Sequence, residues 1–144
     1  VATILLEAFQ RKLGGFLGDR PTARGLIRDS IDPALVLAAR RDGELVGIAC
    51  LKTRQAGFLT LELRRLMRRF GPLEGLLRYG FSRLTNLGPP AGILSLDALA
   101  VTAGARGLWI GGRLVGAVEA FAREHDYRMV SLEVVDTNPR ALRF

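Results

Sequence analysis

The chain has 144 residues, 49% apolar and 24% charged, with a net charge of +7, which describes one domain with enough apolar material for a packed core and excludes intrinsic disorder. No apolar run is long enough to span a bilayer, so no membrane role is expected, and the single cysteine, Cys50, excludes an internal disulfide and a cysteine metal cluster. Lys12 and Lys52 are the only lysines; the arginines are scattered and aromatics are few, so the basic excess reads as a solvated surface rather than a nucleic-acid interface.

Residues 2–16 carry Ile4, Leu5, Ala8, Phe9 and Leu13 at helical spacing and predict an amphipathic first helix. This segment lacks the apolar block and cleavage pattern of a secretory signal, so a cytoplasmic location is expected. Gly14, Gly15 and Gly18 end the helix. A short second helix follows over 22–29, with Pro33 as a breaker. Residues 34–40 and 45–52 read as two strands, joined by Arg41-Asp42-Gly43-Glu44, where Asp-Gly signals a tight hairpin. Residues 59–70 put Leu59, Leu63, Leu66, Met67 and Phe70 on one helical face. Leu73, Leu76, Leu77, Phe81 and Leu84 mark a second amphipathic helix beyond Gly71-Pro72. The two form a helical hairpin closed by Gly88-Pro89-Pro90. A mostly apolar strand is expected over 93–101, a helix over 106–125, a strand over 129–135 and a last helix from Asn138 to Phe144. The strand–helix–strand unit from 93 to 135 implies parallel strands with a crossover helix. The expected fold is a mixed α/β sheet with helices on its faces.

The most informative stretch is 99–116. An apolar strand ends, a small-residue turn follows, and an Arg-Gly-x-x-x-Gly segment opens a helix. A helix start has unpaired N–H donors and the positive end of the dipole. Glycines let a phosphate approach that backbone. The expected ligand is a phosphorylated cofactor.

These residues resemble the GNAT superfamily of acyl-coenzyme A dependent N-acyltransferases. The first block is Leu99-Ala100-Val101, then Arg106-Gly107-Leu108-Trp109-Ile110-Gly111, then Leu114. The second is Leu132-Glu133-Val134 with Asp136-Thr137-Asn138-Pro139-Arg140-Ala141 and Phe144. Two blocks in the right order are far more specific than one glycine-rich loop. The resemblance implies a GNAT-like fold over 1–144, with 59–86 as a helical insert between the family's third and fourth strands. It implies acetyl transfer from acetyl-CoA to the primary amine of a small molecule or peptide, without a metal. Backbone groups of Leu99 and Val101 would pair with the pantetheine arm. The segment Arg106, Gly107, Leu108, Trp109, Ile110, Gly111 and Gly112 would hold the pyrophosphate, and Asn138 the pantetheine or acyl end.

Three departures from the family pattern stand out. Trp109 occupies a position where glycine is usual; a helical backbone there would tolerate it with the indole turned from the phosphates. The family's first strand would precede Val1. Its last two strands, and a tyrosine that often protonates the leaving thiolate, would follow Phe144. The expectation is therefore a fragment or a further tail, and no general acid is named.

An alkyl amine must lose a proton to attack a thioester, which a carboxylate can accept. Asp97, on the strand entering the first block, is the first candidate base and Glu133 the second; each also has a purely structural reading. The N–H of Val101 would polarise the thioester carbonyl. His125 reads as a helix-end residue, Cys50 as a buried strand residue, Tyr127 as packing and Tyr79 as part of the hairpin. The hairpin itself is a covering layer, a homodimer surface or a lid over the acceptor. Arg64, Arg65, Arg68 and Arg69 read as a solvated face before an acidic-acceptor site. Two other functions stay open: a non-catalytic coenzyme A binding domain, and a basic RNA-binding domain whose affinity would fall steeply with salt.

Overall fold

The structure of the protein, a computed structural model, describes residues 1, 4, 20–85 and 87–132. In chain order these form α1 (Arg20–Ser30), β1 (Val36–Arg41), β2 (Glu44–Lys52), α2 (Leu63–Phe70), α3 (Pro72–Thr85), β3 (Ile93–Val101), α4 (Ile110–Glu124) and β4 (Met129–Leu132). Short 3-10 turns stand at Pro33–Leu35 and Ala103–Ala105. The first helix expected over 2–16, the end of the last strand, the last helix, Glu133 and Asn138 lie outside the described residues, apart from Ile4, which is buried in the core.

One mixed sheet holds the strands in the order β1-β2-β3-β4. β1, β2 and β3 pair antiparallel, and β4 runs parallel to β3. Asp42 and Gly43 turn the first hairpin with φ of 51° and 82°, the left-handed pair that a two-residue hairpin demands. Ahead of β1, Asp32 accepts the Ala34 N–H at 3.0 Å and caps the Pro33–Leu35 turn. That turn takes the first residues from the strand expected over 34–40, which begins at Val36.

Alternation along β2 divides two apolar layers. Ile48 and Cys50 face α1 and α2, where they meet Ala23, Leu26, Ile27 and Leu66. Ala49 and Leu51 face α4, whose Ile110, Leu114, Val118 and Ala122 recur every fourth residue on one stripe. β3 breaks this alternation. Its buried residues are Leu94, Leu96, Ala98 and Ala100, which an unbroken strand would place on one face. Instead Leu94 and Leu96 join the α4 layer, whereas Ala98 and Ala100 join the α1 layer. The cause is a bulge. Cys50 pairs with Ala98 and Leu51 with Leu96, so Asp97 is the extra residue without a partner on β2.

Gly47 sets how closely α4 sits on the sheet. A Cβ there would come within 3.1 Å of Ile110 Cγ2 and Leu114 Cδ1 and 3.3 Å of the Ala100 carbonyl oxygen. Glycine inside a strand marks this kind of close approach.

The helical hairpin differs from expectation in two ways. Its first helix starts at Leu63 rather than Leu59. Leu59 bridges Ile31, the Phe58 N–H donates to Leu51 O at 3.0 Å, and the Thr60 N–H donates to Ser30 O at 3.0 Å. That backbone is thus committed to strand-like bonds. The second helix has the expected stripe, but Leu73, Leu76, Leu77, Phe81 and Leu84 are exposed, Leu73 and Leu84 each to 73%. α3 is held instead through Gly75, where a methyl group would lie 2.5 Å from the Met67 nitrogen, and through Tyr79, which packs on the α1 layer with Phe70.

Candidate active site

Beyond Leu96, β3 presents an edge that no strand covers among the described residues. Its ladder with β4 runs from Ile93–Met129 to Leu96–Leu132. Among the described residues, only β2 pairs with β3 beyond that point. The Thr102 N–H donates to Val46 O at 2.9 Å. Backbone groups alternate between the two sides of a strand, so Ala100 also bonds toward β2. The N–H and C=O groups of Leu99 and Val101 face the uncovered edge. An extended amide-containing chain can be held there as an added strand would be.

The edge leads into an anion-binding loop. Ala105, buried against the α4 layer, pins the 3-10 turn, and Arg106 to Trp109 then swing outward, all four exposed. Gly107 has φ 79°, and Trp109 has φ 58° and ψ 13°. A right-handed helix accommodates neither. α4 therefore begins at Ile110, four residues later than the expected start at Arg106. The backbone at Trp109 is left-handed rather than helical, which corrects the expectation for that residue and explains why glycine suits the position.

The loop leaves its donors free. The Arg113 N–H is the first to find a carbonyl, that of Trp109 at 3.0 Å. The N–H groups of Ile110, Gly111 and Gly112 have no acceptor among the described residues, and the Trp109 side chain provides no cap. A left-handed residue followed by a right-handed one aims successive N–H groups at one point. A Cβ on Gly112 would meet nothing within 4 Å, so the backbone is open at that donor. Arg106 and Arg113 flank them, exposed and without an ion pair among the described residues. Converging N–H groups, the helix dipole and two guanidinium groups make a donor set suited to a diphosphate.

Asp97 sits at the other end of the edge. Leu96 faces α4, so the next side chain points to the α1 side of the sheet, and Asp97 is exposed there. Its carboxylate acts on the Cys50 thiol behind it. Burial pushes that thiol up to about 12, and the Asp97 charge adds to the effect. Cys50 is therefore a protonated, inert core residue. The bulge turns the Asp97 carboxylate toward solvent where the uncovered edge begins. The structure thus groups Asp97, Leu99, Val101 and the loop from Arg106 to Gly112 along one strand and its exit.

Other residues have structural places. His125 stacks on Phe121 with ring centroids 4.0 Å apart, and its Nδ1 lies 2.9 Å from the Phe121 carbonyl oxygen, at the end of α4. Tyr127 packs in the α4 layer. Arg65 contacts Glu62 and the Asp29 carbonyl, and Arg69 contacts Thr22, so part of the arginine face is tied to its neighbours. Among the described residues, no three His, Cys, Asp or Glu side chains gather as for a metal ion, and no helix is long and apolar enough to cross a membrane. Sequence reasoning missed two positions. Gly47 carried a usable signal, being a glycine inside a strand. The bulge at Asp97 carried none, because register depends on the partner strand.

Comparison with known proteins places this geometry. No curated protein sequence matches the chain. Among solved structures it is similar to a ribosomal-protein-alanine N-acetyltransferase from Brucella melitensis biovar Abortus 2308, at 21% identity and TM-score 0.54, over 99% of this chain and 75% of that one. It is also similar to the aminoglycoside acetyltransferase meta-AAC0020 from an uncultured soil metagenomic sample, at 16% identity and TM-score 0.56, over 99% and 72%. A further acetyltransferase aligns at 16% identity and TM-score 0.59, over 99% and 78%. At such identities these likenesses show the fold. The family model described as Acetyltransferase (GNAT) family matches residues 3–144, and with nearly the whole chain covered, the protein belongs to the GNAT family of acetyltransferases.

Proposed function

We propose that the protein transfers the acetyl group of acetyl-CoA to a primary amine. The observation that carries this reading is the continuity of one strand with one loop. The edge of β3 at Leu99 and Val101, unpaired among the described residues, runs into the N–H groups of Ile110, Gly111 and Gly112, which find no acceptor among those residues. Acetyl-CoA has matching chemistry: an extended amide-bearing arm joined to a diphosphate. The arm pairs with the strand edge, and the diphosphate takes the helix N-terminus.

With the substrate so held, the thioester lies toward the Asp97 end of the edge. The amine nitrogen forms a bond to the acetyl carbon as the carbon–sulfur bond breaks. The amine proton passes to the Asp97 carboxylate, directly or through water. On this placement the Leu99 N–H, the edge-facing donor nearest Asp97, rather than the Val101 N–H, supports negative charge on the carbonyl oxygen. The departing thiolate takes a proton to become coenzyme A. Glu133, the second candidate base from its place on the neighbouring strand, is proposed as a second carboxylate, and Asn138, which the family resemblance assigns to the site, as the arm-holding amide. The names of two similar structures, acting on ribosomal-protein alanine and on aminoglycosides, both point to amine acceptors.

The test is a calorimetric titration with acetyl-CoA, alongside a screen of amines for thiol release. Gly111→Asp puts a carboxylate in the first turn of α4. An acid there suits a helix, and circular dichroism checks that the variant folds, yet the charge opposes a diphosphate. We expect saturable binding to the wild type, none to Gly111→Asp, and a loss of only a few-fold in Arg106→Ala, because the loop works through its backbone. Equal losses in the two variants would contradict the backbone reading. A folded wild type that binds no acetyl-CoA would overturn the proposed function.

A further inference from the structure

Trp109 is the only tryptophan of the chain, and its side chain is among the least buried of the large apolar groups, 83% exposed. It fills no core and caps no helix. Its left-handed backbone costs about 1–2 kcal/mol relative to a glycine in the same conformation. An indole in water, on a backbone that disfavours it, recovers nothing from the fold itself. Its position explains what it can recover. It immediately precedes Ile110, Gly111 and Gly112, whose N–H groups find no acceptor among the described residues. Leu108 beside it in the chain is 44% exposed and adds apolar surface to the loop. Arg106 and Arg113, exposed and without ion pairs among the described residues, add positive charge on either side. A diphosphate on these N–H groups that belongs to a nucleotide carries its base one ribose away, within reach of a freely exposed indole.

We propose that Trp109 is the base-binding residue of this site, its indole stacking on the adenine of the coenzyme. This rests on the coenzyme reading given above and adds a role for the nucleotide half. The indole supplies a flat face that a purine covers, and both surfaces leave water together. The stack also fixes the adenosine end, so the arm enters the β3 edge from a defined direction.

The lone tryptophan makes the test direct, because selectively excited emission comes from Trp109 alone. The wild type is titrated with coenzyme A, with 3′-phosphoadenosine 5′-diphosphate, and with acetyl-phosphopantetheine, which lacks the adenosine. Calorimetry on the same samples reports binding independently. We expect saturable quenching by coenzyme A and by the nucleotide, and none by the arm alone. Trp109→Gly relieves the backbone and folds at least as well as the wild type. It is expected to raise the Kd for coenzyme A roughly 5- to 150-fold, the usual range for one stacked base. Trp109→Phe keeps an aromatic face and holds the Kd within a few-fold. Coenzyme A that binds by calorimetry without changing the emission overturns the stacking role and leaves the proposed function standing. Equal or tighter binding by Trp109→Gly does the same. A wild type that binds no coenzyme A by calorimetry overturns both.

Discussion

Asp97 stands where two residues of β3 share one partner on β2, and that accident of register gives it both its exposure and its direction. In an unbroken strand the residue between Leu96 and Ala98 would lie across from a β2 partner, its side chain in a row with its neighbours. The bulge frees it to meet solvent at the start of the uncovered edge. We expect Asp97→Asn to lower kcat by about 10²–10⁴-fold, the usual worth of a positioned base, while the Kd for acetyl-CoA stays within a few-fold. Initial rates and calorimetry on one preparation check this, and a kcat within a few-fold of wild type would remove Asp97 from the chemistry. The candidacy of Asp97 was legible because an acid amid Leu96, Ala98 and Leu99 is conspicuous. Its side of the sheet was not, because side-chain direction depends on a pairing that one strand does not encode. Trp109 teaches a related lesson. Nothing in Arg-Gly-Leu-Trp-Ile-Gly announces a left-handed tryptophan, since the conformation is imposed by the exit from β3 and the docking of α4.

Among the elements, α4 and β2 are matched most tightly, and the match runs through Gly47. Ile110 and Leu114 are both buried, so room for a methyl group 3.1 Å away comes only from shifting packed side chains. Gly47→Ala is therefore expected to cost about 1–3 kcal/mol, as overpacking usually does, and to lower Tm by several degrees. Because the obstructed residue Ile110 is also the first of α4, the same change displaces the free N–H groups and weakens acetyl-CoA binding. Thermal melts and titrations measure the two effects. A variant with unchanged Tm and unchanged Kd would show that the helix is not held by this contact. The strands and α4 were readable because an Asp-Gly turn before Leu45–Lys52, the mostly apolar run Ile93–Val101 and the fourfold spacing in Ile110–Ala122 are strong signals. The beginning of α2 was not, since Leu59 fits helical spacing equally well while its backbone bonds to Ile31. Nor did the stripe on α3 disclose its exposure. Periodicity identifies an apolar face, but not what lies opposite.

At the scale of the whole molecule, the sheet buries a titratable group at its centre. The folded pKa of Cys50, about 12, lies above its ordinary value of 9.0. The folded chain therefore keeps a proton that the unfolded chain gives up. The contribution is intact below about pH 9 and is lost as pH rises toward about 12, with a slope of about 1.4 kcal/mol per pH unit in that window. Urea denaturation of wild type and Cys50→Ala at about pH 8 and about pH 10 isolates it. The wild type is expected to lose more stability between the two conditions than the variant, and parallel losses would show that the thiol ionises equally in both states. The overall architecture was legible because two separate blocks, at Leu99–Leu114 and from Leu132 onward, resemble one family in order and spacing. The coupling between its layers was not, because it arises only when strands meet.

The divided loyalty of β3 has a consequence for how this protein can change over evolutionary time. The fully buried residues before Asp97 answer to one layer and those after it to the other, while Leu99 and Val101 pack on the α4 layer. Exchanging a side chain in either half disturbs one neighbourhood. Losing Asp97 itself would only restore a regular ladder, with Leu96 and Ala98 as neighbours opposite Leu51 and Cys50. Losing or gaining a residue elsewhere in the strand reverses the orientation of everything downstream, presenting Leu99 and Val101 to the wrong layer and the exit loop to the wrong place. Outside the bulge this strand can drift in composition but not in length, and natural or engineered insertions are better sought in the connections at its two ends.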